Sequence, residues 1–148
     1  MRRPSVVLAL ALPIAVVDLA WKHFASTPTW AYHTRSPLWL AVSVALVAAA
    51  FAASRLRSPT VLVTAGIMAG GVLGNTISGT WNNLRIPNPI IVSVGRGLIA
   101  FNPADVFTTV GIFGLTAALA HTLVRNRHAL PTPQEARAMW ARAYQRRH

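Results

Sequence analysis

Four apolar runs separated by short polar links set the pattern of this chain. They extend roughly from Ser5 to Phe24, from Leu38 to Ala53, from Thr60 to Gly79 and from Ala104 to Val124. A helix needs about 20 apolar residues to cross a bilayer, and each run is read as one such helix. The second is short but carries no charge. The fold class predicted is an all-α integral membrane protein, a bundle of four transmembrane helices. The first run also has the outline of a cleaved signal peptide, with Arg2-Arg3 ahead of an apolar core. Asp18 and Lys22 inside it argue against that reading.

The basic residues give an orientation. Arg2 and Arg3 precede the first run, Arg55 and Arg57 fill the link between the second and third, and Arg125, Arg127, Arg137, Arg142, Arg146 and Arg147 follow the fourth. With four spans all of these share one side. Lys22, Arg35, Arg85 and Arg96 fall on the other. The positive-inside rule then puts both termini in the cytoplasm. Trp21, Trp30, Tyr32, Trp39 and Trp81 gather at the outer ends, where amphipathic rings anchor a span. Residues 1–124 form the membrane domain and 125–148 a basic cytoplasmic tail. In that tail Thr132 to Glu135 has capping-box spacing, and Ala136, Met139, Trp140, Ala143 and Tyr144 share a face. This predicts an amphipathic helix on the inner leaflet, with a solvated tail as the other reading.

Polar residues inside the runs are the candidate chemistry. Asp18 and Lys22 are four apart and so lie on one helical face. They form either a local ion pair or the wall of a polar cavity. Pro13 should kink the same helix. In the third run Gly66, Gly70, Gly74 and Ser78 recur every fourth residue, with Gly71 beside them. Such a stripe lets another helix approach closely. Asn75 lies beside it, and its amide needs partners. The outer segment from Thr80 to Pro103 is rich in turn formers. It encloses Ile90 to Val94, a β-like apolar run that could be a short strand or a patch on the lipid surface. Pro103 suits a first helical turn, Asn102 suits its cap, and Asp105 would sit where the helix dipole favours a carboxylate.

Composition narrows the classes. The chain is 53% apolar and only 11% charged, against roughly 25% charged in a soluble domain. Its formal charge of +11 fits basic flanks facing anionic lipid headgroups. Nucleic acid is not an expected partner, because no nucleic-acid motif is visible. Without cysteine there is no disulfide, zinc-thiolate site or thiol nucleophile. His23, His33, His121, His128 and His148 have no ligand spacing with an acid, so no metal or other cofactor is expected. Ser78 and Ser93 have no nearby histidine in sequence to act as a base. Only three acidic residues occur, and none lies between Asp18 and Asp105.

Three motifs then resemble one family, the lipoprotein signal peptidases (signal peptidase II) of bacterial membranes. Val17-Asp18-Leu19-Ala20-Trp21-Lys22 looks like the family's Asp-x-x-x-Lys, with Trp21 where Ser or Thr is usual. Gly70-Gly71-Val72-Leu73-Gly74-Asn75 looks like its GGxxGN. Phe101-Asn102-Pro103-Ala104-Asp105, followed by Thr109-Val110-Gly111, looks like its FNxAD and TVG. The resemblance covers most of residues 5 to 124. It implies four spans in the bacterial cytoplasmic membrane, both termini inside, a small outer β-element and aspartic cleavage of lipidated prolipoproteins. The departures are specific. Ser78 and Gly79 stand where the family has Asp-Arg. Ser93, within Ile91 to Val94, stands nearest to where its second catalytic aspartate belongs. The family's Asn-x-Gly-x-Ala-Phe stretch is missing, and the short segment from Ala25 to Pro37 implies a reduced outer β-cradle.

Aspartic hydrolysis needs two close carboxyls that share a proton. The resemblance supplies Asp105 as a catalytic residue and leaves its partner absent, with Asp18 as a substitute if the first and fourth helices touch. Lys22, Asn75, Ser78, Ser93 and Asn102 are the candidate binding residues. The readings are therefore a signal peptidase II-like protein with impaired or lost catalysis, a non-catalytic binder of a lipidated peptide, lipid or membrane protein partner, and a small assembly subunit.

Overall fold

The computed structural model describes residues 3–56, 58–129 and 133–145. Two units divide it, Met1–Ala118 and Leu119–His148. Helices α1 (Arg3–Phe24), α2 (Pro37–Ala53), α3 (Pro59–Trp81) and α4 (Pro103–Arg125) account for the apolar runs. α1, α3 and α4 are long and apolar enough to cross a membrane, and α2 is a shorter apolar helix of 17 residues. That length is near the lower limit of about 17 for a span.

α2, α3 and α4 begin by one repeated device. Ser36 Oγ accepts from Trp39 N at 3.3 Å ahead of Pro37, and Ser58 Oγ accepts from Val61 N at 3.4 Å ahead of Pro59. Asn102 does the same work ahead of Pro103, with its Oδ1 accepting from Asp105 N at 3.0 Å. A polar cap satisfies an orphan N–H, while proline at the first position has none to satisfy. α1 runs unbroken through Pro13. It buries only a stripe, Val7, Ala11, Ala15, Asp18 and Lys22. Leu8, Leu12, Val16 and Val17 point outward, so the helix is apolar on both its packed and its unpacked sides, as a span is.

α3 is the central helix, and its glycines explain why. The stripe faces α1: a methyl group at Gly66 would come within 2.7 Å of Leu10 Cβ, at Gly70 within 2.7 Å of Ile14 Cβ, and at Gly74 within 2.7 Å of Asp18 Oδ2. Gly71 faces α4 instead, where a methyl group would meet Thr108 N at 2.5 Å and Ala104 O at 2.6 Å. α4 answers with Gly111 against the backbone of Met68 and Gly114 against Thr64. Small residues on both helices let the backbones meet, which is how van der Waals packing holds helices together in lipid.

The β content exceeds the single element suggested by Ile90 to Val94. Strand β1 (Tyr32–Thr34) pairs antiparallel with β2 (Arg85–Pro87), and β3 (Ile90–Val94) pairs with β4 (Gly97–Phe101). Asn83 and Leu84, with φ of 52° and 62°, turn the chain from α3 into β2. Gly95, at φ 59°, opens the two-residue turn between β3 and β4, the position that favours glycine in a hairpin.

In the second unit α5 (Pro133–Gln145) forms where the tail predicts a helix, with Glu135 in its first turn and Arg142 in its last. That order suits the helix dipole. Arg2, Arg57, Thr132, Arg146 and Arg147, and the side chains of Ala136, Met139, Trp140 and Ala143, lie outside the described residues.

Gly71→Val should lower the melting temperature of the detergent-solubilised protein by an amount equivalent to ~1–3 kcal/mol or more, because overpacking there strikes backbone rather than a flexible side chain. Gly97→Val, whose nearest neighbour is 3.8 Å away, should leave it nearly unchanged. Thermal unfolding of the two variants side by side is the check.

Candidate functional site

At one end of the helices a chain of polar contacts joins α1, α3 and α4. Asp18 and Lys22 sit a turn apart on α1, as their spacing dictates, and pair at 2.6 Å between Oδ2 and Nζ. Lys22 Nζ also donates to Asn75 Oδ1 of α3 at 2.8 Å. The other end of that amide, Asn75 Nδ2, donates to Asp105 Oδ1 of α4 at 2.8 Å. Asp18 Oδ1 in turn accepts from Ala104 N at 2.9 Å. The absence of a side chain at Gly74 leaves room for the Asp18 carboxyl against α3. Asp18 is fully buried and Lys22 nearly so. Two charges at this depth persist only because each meets several partners.

The start of α4 is held twice. Asn102 Oδ1 accepts from Asp105 N, and Asp105 Oδ2 accepts from Asn102 N at 3.2 Å. These are the two reciprocal bonds of a capping box. Ala104 N, an orphan of the same first turn, goes to Asp18. The expected roles of Asn102 as cap and Asp105 as a first-turn acid are both seen.

First and fourth helices touch where Asp18 Oδ1 accepts from Ala104 N, and both carboxyls are held by N–H donors. Their four oxygens accept from Lys22 Nζ, Ala104 N, Asn75 Nδ2 and Asn102 N. The link between Asp18 and Asp105 passes through Lys22 and Asn75. Ser78 is buried on α3 and lines a cleft of about 300 Å3 with Lys22, Tyr32, Trp81 and Pro87. Ser93 is elsewhere: it is exposed on β3 opposite Leu98, and no hydrogen bond joins it to the cluster among the described residues. So Asp18, Lys22, Asn75, Asn102 and Asp105 are brought together, Ser78 is beside them, and Ser93 is not.

Asn88 and His33, which nothing in the local sequence marks as site residues, join the network. Asn88 is fully buried. Its Oδ1 accepts from Asn102 Nδ2 at 2.6 Å, and its Nδ2 lies 2.9 Å from His33 Nδ1. This pair extends the network from Asn102 to the exposed His33 on β1. Asn88 sits between Pro87 and Pro89 and reads locally as a turn former. Only its burial marks it, and burial is a tertiary property.

No family model matches the chain. It is 29% identical over 116 residues to the lipoprotein signal peptidase of Methylobacterium sp. (strain 4-46), a match covering 76% of this chain and 68% of that protein. Among solved structures it aligns with a bacterial membrane enzyme at a TM-score of 0.64 and 14% identity, over 86% of this chain and 94% of the other. At that identity the structural likeness bears on the fold alone. The three long apolar helices and these likenesses mark a membrane protein that resembles a lipoprotein signal peptidase over about three quarters of its length.

Proposed function

We propose that this chain is a signal peptidase II-like, multi-pass protein of the bacterial cytoplasmic membrane that binds a lipidated prolipoprotein segment, with hydrolysis impaired or lost. In this reading α1 to α4 all span and both termini are cytoplasmic. The bond from Arg3 Nη1 to Arg55 O at 3.2 Å supports placing the first basic cluster and the α2–α3 link at one end. The polar cluster then lies at the outer face.

One observation supports the loss of hydrolysis: Asp18, the acid that would have to replace the missing partner of Asp105, is paired with the Lys22 ammonium and the Ala104 N–H. A carboxyl pair that activates water needs direct contact through which a proton is shared. Asp18 instead acts as a structural charge that pairs with Lys22 and holds the start of α4. Asp105 and Asn75 remain the groups best placed to meet a peptide amide or carbonyl. The cleft beside them is lined by the donors Lys22, Tyr32 and Ser78.

The test uses a diacylglyceryl-modified prolipoprotein peptide and the purified protein in nanodiscs. The expected result is saturable binding with no signal-peptide release. Asp105→Ala should weaken binding about tenfold or more, the scale of a lost hydrogen bond to a charged group. Cleavage by the unaltered protein that disappears in both Asp18→Asn and Asp105→Asn would overturn the reading, since it would make the two carboxyls a working pair.

The structural role given to Asp18 has its own check. Lys22→Met strands a buried carboxylate and should cost ~3–5 kcal/mol of stability, as broken buried pairs do. Asp18→Asn combined with Lys22→Met should cost less than the sum of the single changes. A double-mutant cycle by unfolding in detergent measures the difference.

A further inference from the structure

Toward its tip, from Ile91 to Ile99, the β3–β4 hairpin is largely apolar and exposed on both faces, while Ala100 at its base is buried. Directly paired residues of an antiparallel pair point to the same side of the sheet. Val92 and Ile99 are such a pair, with Val94 beside them on that side; they are 44%, 51% and 57% exposed. Ser93 pairs with Leu98 on the opposite side, next to Ile91; Leu98 and Ile91 are 59% and 38% exposed. A hairpin built to dock on one protein surface needs one apolar face and leaves the other polar. Two apolar faces suit immersion.

We propose that this hairpin is immersed in the headgroup–acyl boundary of the bilayer and meets anionic lipid there. Three further observations agree. The hairpin lies between the end of α3 and the start of α4, the two ends that hold Asn75 and Asp105, so it starts and finishes at the same end of two membrane-long helices. Trp81, 75% exposed at the end of α3, is the kind of ring that settles at that boundary. Arg96 is exposed at the hairpin tip, and no acidic residue lies between Asp18 and Asp105 to repel a phosphate. The depth is bounded as well. A two-stranded sheet has two open edges whose N–H and C=O groups need partners, which the hydrocarbon centre lacks and the headgroup layer supplies. The hairpin therefore lies at the boundary and does not reach the midplane. This inference depends on the membrane location of the chain and not on whether it cleaves or binds a lipoprotein.

The cysteine-free sequence allows a direct test. Ile99→Cys and Leu98→Cys report the two faces, and Val92→Cys and Ile91→Cys repeat the measurement if either first variant is not monodisperse. Each is labelled with an environment-sensitive fluorophore and reconstituted with lipids carrying a spin-label quencher near the top of the acyl chain. Blue-shifted emission and quenching at both faces are expected. Arg96→Glu should reduce quenching about twofold in phosphatidylglycerol vesicles and leave it unchanged in phosphatidylcholine. Quenching of one face only would assign the other to a peptide or protein and overturn the proposal. Quenching of neither face, or an Arg96→Glu effect equal in both lipids, would overturn it too.

Discussion

The Asp18 carboxylate is the contact on which the polar end of this molecule depends. One oxygen holds the Lys22 ammonium on its own helix, and the other holds the backbone N–H of Ala104 at the start of α4. Lys22 then passes the connection to Asn75 on α3. A single buried side chain thus fixes three helix ends relative to one another. Such an arrangement works because each charge is met by more than one partner. Removing Lys22 would leave the fully buried Asp18 carboxylate without its ammonium partner.

The glycines make that contact possible. Asp18 can lie against α3 only because position 74 has no side chain, and α4 can bring Ala104 and Thr108 onto α3 only because position 71 has none. In lipid, where apolar surface gains little from leaving one apolar environment for another, close backbone approach and polar contacts between helices supply the packing. Glycine stripe and polar cluster are therefore two halves of one device: the stripe sets the distance and the cluster uses it.

The same device bears on the chemistry. Asp105 is held by Asn75 and by the Asn102 backbone, and Asn102 is held by Asn88. Amides surround the acid that the family resemblance marks as catalytic. An amide donates and accepts hydrogen bonds at fixed atoms but does not trade protons at ordinary pH. On the proposed reading, these amides meet the peptide groups of a bound segment.

Much of this was legible from the order of residues. Run length gave the four apolar helices, because helix rise and bilayer thickness fix how many apolar residues a span needs. Spacing gave the Asp18–Lys22 pair and the cap at Asn102, because both are local contacts within a turn. Which helix each glycine faces, the bond from Asp18 to Ala104, the place of Ser93 on an exposed hairpin and the burial of Asn88 were decided only in three dimensions. Those contacts join residues 12 to 86 positions apart, and the local pattern is identical whether or not the distant partner arrives. The sequence set the supply of charges and small residues, and packing alone determined which of them meet.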